Sequence, residues 1–147
     1  MPHRDLAEAD VLLPLEIVSR RLQHGVGQHE FIRVAAGAWH DNDVCFELSK
    51  NGEVRQLSLA DALAGGEGRV LRQVGAHSLP AAHARIRETL GQRYQYGLFG
   101  RWTCDAWTRY VETGQKRWSP QVVGALRGLG TVGGVVVGVL LTRRLRR

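Results

Sequence analysis

At 147 residues the chain is one domain, long enough to bury a core. Hydrophobic residues make up 44% of it, which excludes a disordered chain beyond the first few residues, and two cysteines, Cys45 and Cys104, exclude a disulfide framework. The net charge of +6 comes from arginine and is partly local: Arg143, Arg144, Arg146 and Arg147 abut an apolar run. No basic motif interleaved with aromatics is present, so a membrane surface accounts for the charge better and no nucleic-acid partner is expected.

Residues 1–10 are polar and mixed in charge, without the pattern of a secretory leader, so a cytosolic, reducing compartment is expected. Residues 16–20 form a strand candidate ahead of a turn around Gly25 and Gly27. Residues 29–35 alternate, Ile32 and Val34 against Phe31 and Arg33, and predict a second strand. Ala36-Gly37 turns the chain, and residues 38–40 begin a return strand before the polar Asp41-Asn42-Asp43. Two further strands, 44–48 and 54–57, flank Asn51-Gly52, a strong hairpin signal.

Ser58 opens a short helix with Asp61 in the capping-box position, and Gly65 and Gly66 end it. Residues 70–74 read as another strand. Leu79-Pro80 then starts a helix in which Ala82, Ile86, Thr89 and Leu90 share a face, closed by Gly91. His77 and His83, in the preceding loop and the start of that helix, are expected to be solvated. Strands first and helices later predict an α+β fold with a small antiparallel sheet, rather than alternating α/β.

The helix expected next carries a thiol. Thr103 caps it behind the loop Gly97-Leu98-Phe99-Gly100, and Trp107, Tyr110 and Val111 fall on one apolar face. Gly114 supplies the left-handed residue that stops it. Cys104 thus faces the positive end of a helix dipole, which favours thiolate, the reactive form. A buried cysteine acting as a small hydrophobe is the plainer alternative.

Residues 119–147 differ in composition from the 1–118 domain. Ser119-Pro120 is a cap and first-turn proline, and residues 122–142 are apolar and glycine-rich with Arg127 their only charge. The uncharged run, 128–142, is short for spanning, which usually takes about 20 residues. Gly124 and Gly128, then Gly130, Gly134 and Gly138, repeat at four-residue spacing, a pattern that lets helices approach closely in lipid. A membrane-associated helix with the capacity for helix–helix self-association is the expectation. A glycine-rich helix buried against the domain is the alternative.

A thiol nucleophile needs a base within hydrogen-bond reach and a third group to orient that base. His29 opens a strand that fixes its direction, and His40 lies on the expected return strand. His29-Glu30-Phe31-Ile32-Arg33-Val34-Ala35 resembles the signature His-x-x-Ile-Tyr-Val-Gly of the lecithin:retinol acyltransferase-like family, a branch of the NlpC-type papain-like thiol enzymes. It keeps the histidine, isoleucine and valine and lacks the tyrosine and glycine. Thr103-Cys104-Asp105-Ala106-Trp107 stands where the family has Asn-Cys-Glu-His-Phe. The segments Ser58-Leu59-Ala60-Asp61-Ala62-Leu63, Arg109-Tyr110-Val111-Glu112-Thr113-Gly114 and Ser119-Pro120-Gln121-Val122 also resemble the family's, as does the apolar tail.

The resemblance implies a permuted papain-like fold, the histidine sheet preceding the cysteine helix, with Cys104 as nucleophile and His29 as base. It places a third polar residue, usually histidine, near His40, one residue short of the usual spacing. Glu47 is the alternative orienting group, although a strand carboxylate of this kind is more often at the surface. The implied reaction is acyl transfer or hydrolysis on lipid acyl esters or amides through an acyl-thioester. A peptidase or amidase of the same superfamily, and an inactive membrane-associated interaction protein, are the other readings. No cofactor is expected. No metal is expected either, since His24, His29, His40 and Cys45 lack paired metal-ligand spacing.

Liposome flotation of the full chain, and of a chain lacking residues 119–147, tests the tail. Flotation that requires the tail is expected, and equal recovery of both would remove the membrane reading.

Overall fold

The computed structural model describes residues 12–23, 27–97 and 102–116. The turn at Gly25, the loop at 98–100, His3, His24 and the expected C-terminal helix lie outside the described residues. Contacts divide the chain into two units, Met1–Arg117 and Trp118–Arg147, and the fold described is that of the first.

Five strands form one antiparallel sheet: β1 (Leu15–Arg21), β2 (Gln28–Val34), β3 (Val44–Leu48), β4 (Val54–Ser58) and β5 (Gly68–Gln73), in the order β4-β3-β2-β1-β5. Three helices complete an α+β architecture: α1 (Leu59–Leu63), α2 (Leu79–Thr89) after a single 3-10 turn at Ala76–Ser78, and α3 (Cys104–Thr113). Among the described residues no helix is long and apolar enough to cross a membrane.

Strand alternation sorts the side chains into two cores. Leu15, Ile17, Ile32, Val34, Phe46 and Leu48 meet Ala82 and Ile86 of α2 and Trp107 and Val111 of α3. Val18, Phe31 and Cys45 on the other face meet Leu59 and Ala62 of α1. Two hydrophobic layers on one sheet leave little of it solvated on either side. His83 is a correction to the expectation: it is buried, and its Nε2 lies 2.8 Å from the carbonyl oxygen of Leu13. The ring pins the start of β1 to α2.

The helix ends follow the expected capping chemistry. Ser58 Oγ accepts the Asp61 N–H at 3.1 Å and starts α1. Thr103 Oγ1 accepts the Ala106 N–H at 3.4 Å and starts α3, which Gly114 ends at φ +74°. Asn51-Gly52 does turn the β3–β4 hairpin, with Gly52 at φ +79°. A Cβ on Gly52 would also fall 1.9 Å from the Tyr94 carbonyl oxygen, because the segment after α2 runs against this turn. That segment pairs with the outer side of β4: Val54 N–H donates to Gln92 O and Gly91 N–H to Val54 O, at 3.1 and 2.8 Å.

The expected return strand at 38–40 is absent. Its backbone groups are engaged elsewhere: the carbonyls of Gly37 and Ala38 accept from Arg33, and His40 N–H and C=O both bond Asp43. β5 begins at Gly68, two residues before the expected start, because its missing Cβ admits the Trp39 ring. A Cβ there would lie 2.8 Å from that ring.

Arg33 explains the ordered loop. Its guanidinium is fully buried and donates to Glu16 Oε2 at 2.7 Å, to Asp43 Oδ2 at 2.8 Å from Nε, and to the two loop carbonyls. Trp39 lies over it, 5.6 Å from ring centroid to Cζ. Arg33→Ala would strand the buried Glu16 and the half-buried Asp43 and should cost about 3–5 kcal/mol of stability in urea unfolding. A loss within about 0.5 kcal/mol, the level of an ordinary surface substitution, would show that the cluster is dispensable.

Candidate active site

His29 stands second in β2 with its ring buried, held in place by the strand backbone and by Phe31 two residues on, whose ring is 6.5 Å away centroid to centroid. The β2–β3 register pairs Ile32 with Phe46 and Arg33 with Cys45. One step further sets Glu47 across from Phe31, on the face that carries His29. The His29 Nε2 donates to Glu47 Oε2 at 2.6 Å. The other carboxylate oxygen of Glu47 accepts from Arg55 Nε and Nη2 at 2.8 and 2.6 Å, Arg55 being its direct partner on β4. Arg55 thereby fixes the carboxylate that fixes the imidazole.

The N-terminus of α3 reaches the start of β2. Cys104 is buried, and its Sγ lies 3.9 Å from the carbonyl oxygen of Gln28, the residue before His29. Cys104 is also near enough to the His29 ring to help raise its pKa. Since Glu47 occupies Nε2, the nitrogen left for the thiol is Nδ1. Aromatic packing holds this helix start in place: the Trp102 ring lies 4.7 Å from Tyr94 and 5.6 Å edge-on from Tyr110. Trp107 Nε1 donates to Thr89 Oγ1 at 3.2 Å and locks α3 to α2.

The electrostatics follow from these contacts. Burial, the largest influence on His29, disfavours its charged form, but hydrogen bonds with Cys104 and Glu47 and their attraction outweigh it and carry the pKa up to about 9. Burial pulls Glu47 the other way too, yet the bonds from His29 and Arg55 hold it below the usual carboxylate range. Burial pushes the other thiol, Cys45, up to about 12, with Asp43 adding to the effect. Cys45 is fully enclosed in the α1-side core, a structural cysteine that stays neutral.

Cys104 and His29 are therefore brought together, and His40 is not. His40 is exposed in the β2–β3 connection, at the opposite end of β2 from His29, where its N–H donates to Asp43 Oδ2 at 3.0 Å. The missing return strand is the reason, since without it nothing carries His40 along the sheet. Glu47, the alternative to His40, is the group that bonds the His29 ring.

Tyr96 had no signal in the sequence. It bridges to Trp102 just ahead of the cysteine, and Gly97 N–H donates to Trp102 O at 3.1 Å to close that turn. Burial and then the neighbouring Cys104 raise the Tyr96 pKa, while a bond with the Cys104 backbone N–H acts in the opposite sense. No protein-family model matches the chain, and no curated protein matches it.

The proton on His29 is held more tightly in the folded protein than in the unfolded chain, where the pKa is 6.5. The stability it confers is complete below pH 6.5 and is lost as the pH rises through 9. A His29 ring resonance titrating near pH 9 by NMR is expected. Glu47→Gln should lower that midpoint by at least about one pH unit. A midpoint unmoved by Glu47→Gln would remove the carboxylate from this role.

Proposed function

We propose that this chain is a cysteine-dependent acyl hydrolase or acyltransferase on a permuted papain-like fold, acting through an acyl-thioester on Cys104. The observation that supports the reading is the 2.6 Å bond between the His29 ring and the Glu47 carboxylate, with Cys104 close enough to raise the ring's pKa. The same three roles, nucleophile, base and orienting acid, define thiol and serine acyl-transfer sites on unrelated folds.

His29 holds the proton taken from the thiol before substrate arrives, in keeping with a ring pKa of about 9, and Glu47 steadies that imidazolium. The sulfur adds to an ester or amide carbonyl, whose oxygen takes up the negative charge. The Cys104 backbone N–H and the Tyr96 hydroxyl are the proposed donors to that oxyanion. Collapse of the adduct breaks the bond to the alcohol or amine, which leaves with the proton from His29. Water or a second alcohol or amine, deprotonated in turn by His29, then releases the acyl group.

Lipid acyl esters or amides are the favoured substrates. The support is the resemblance of the two signatures to the lecithin:retinol acyltransferase-like family, together with the apolar glycine-rich residues 122–142. The departures that spoke for an inactive scaffold have local explanations. Thr103 supplies the helix cap, Ala106 is buried in α3, and Arg33, where the family has tyrosine, is the buried clamp of the β2–β3 loop.

With an activated lipid-like ester, Cys104→Ala should abolish the acyl-enzyme seen by mass spectrometry. His29→Ala and Glu47→Ala should lower kcat/KM by about 10²–10⁴-fold, and His40→Ala should leave it within about twofold, near the ±0.5 kcal/mol of a typical surface change. Unchanged labelling in Cys104→Ala would overturn the proposal. Phospholipid and peptide substrates assayed side by side separate a lipid enzyme from a peptidase.

A further inference from the structure

A cavity of about 470 Å³ is lined by Ser19, Arg21, Gln28, Glu67 and Arg69 among others. Its relation to the site follows from the sheet. Ser19 pairs with Glu30 and Arg69, and Arg21 pairs with Gln28. Alternation therefore puts Ser19, Arg21, Gln28 and Glu30 on one face of β1 and β2. Glu30 accepts from Thr108 Oγ1 of α3 at 2.7 Å, so this is the face that α3 covers. Gln28 joins the cavity to the thiol: it lines the cavity, and its carbonyl oxygen is 3.9 Å from Cys104 Sγ.

The chemistry of the lining is that of an anion receptor. Ser19, buried at the base, donates its hydroxyl to Gln28 Oε1 at 3.2 Å. That bond turns the amide oxygen toward Ser19 and leaves Nε2, a donor, available to a ligand. Arg21 and Arg69 have no carboxylate within ion-pair distance among the described residues, although Glu67 shares the lining. By contrast Arg33, Arg55 and Arg72 each hold a carboxylate. Two uncommitted guanidiniums and a directed amide donor on one wall suit a carboxylate or phosphate oxygen pair.

We infer that the cavity lined by Arg21, Gln28 and Arg69 is a subsite for an anionic group on the substrate of Cys104, a carboxylate or phosphate close to the scissile carbonyl. The inference rests on Cys104 being the nucleophile. It adds that selectivity is set by charge at one end of the substrate as well as by any apolar chain.

The test uses chemical labelling, which needs no turnover. The full chain is treated with N-alkyl iodoacetamides that are neutral, or that end in a carboxylate or a phosphate on arms of two to five carbons, and modification of Cys104 is timed by mass spectrometry. At least one anionic reagent should label Cys104 about tenfold faster than the neutral reagent of equal length. The double variant Arg21→Gln/Arg69→Gln should erase that advantage and leave the neutral rate unchanged. Added salt should erode it as well. Carboxylate and phosphate arms distinguish the two sources of the oxyanion. Equal rates for anionic and neutral reagents, or an advantage that persists in the double variant, would overturn the subsite while leaving the thiol chemistry standing. Failure of every reagent to reach Cys104 would overturn both.

Discussion

A fully buried guanidinium ties β1 and β2 to the loop that joins β2 to β3. Taking Arg33 out of water is costly by several kcal/mol, and only near-complete satisfaction of its donors makes the position tolerable. Glu16, Asp43 and the carbonyls of Gly37 and Ala38 supply that satisfaction together. Any slip of β3 by one residue would move Asp43 off the guanidinium and turn Glu47 to the other face. The register that suits Arg33 is thus the register that puts a carboxylate beside His29. A structural ion cluster at one end of the hairpin positions a chemical one at the other.

The two ion clusters differ in what they leave free. In the Arg33 cluster every charged group is committed to another, which makes it rigid and chemically idle. In the site, Glu47 is shared between Arg55 and one nitrogen of His29, and the second nitrogen is left free of the carboxylate. The two cysteines show a similar division. Cys45 is enclosed among apolar neighbours, whereas Cys104 sits at a helix start, 3.9 Å from the Gln28 carbonyl oxygen. Position in the fold, more than residue type, sets the surroundings of each thiol.

Much of this arrangement is legible in the chain because it depends on local rules. Thr103 and Gly114 announce α3, Asn51-Gly52 announces the β3–β4 turn, and the alternation around His29 announces β2. The pairing of Cys104 with His29 is long-range, yet the resemblance to a known order of motifs indicates it. What escapes is set by tertiary context. His40 looks like a strand residue until Arg33 claims the carbonyls before it. Glu47 looks like a surface carboxylate because nothing local reveals that His29 lies diagonal to it across the hairpin. His83 reads as solvated because its partner, the Leu13 carbonyl, is 70 residues away in sequence. Tyr96 belongs to no periodic segment and acquires meaning only when the chain turns back on Trp102.

The stretch after α2 has a further consequence through its pairing with the outer side of β4. β4 is an edge strand, and such edges present unpaired amides to any other extended chain. Here the protein's own residues 91–94 occupy the first part of that edge, and the part left open carries Arg55 and Gln56. A charged, half-capped edge is a poor template for adding a foreign strand. The same few residues that lead the chain toward its cysteine therefore guard this edge of the sheet against the addition of a neighbour's strand.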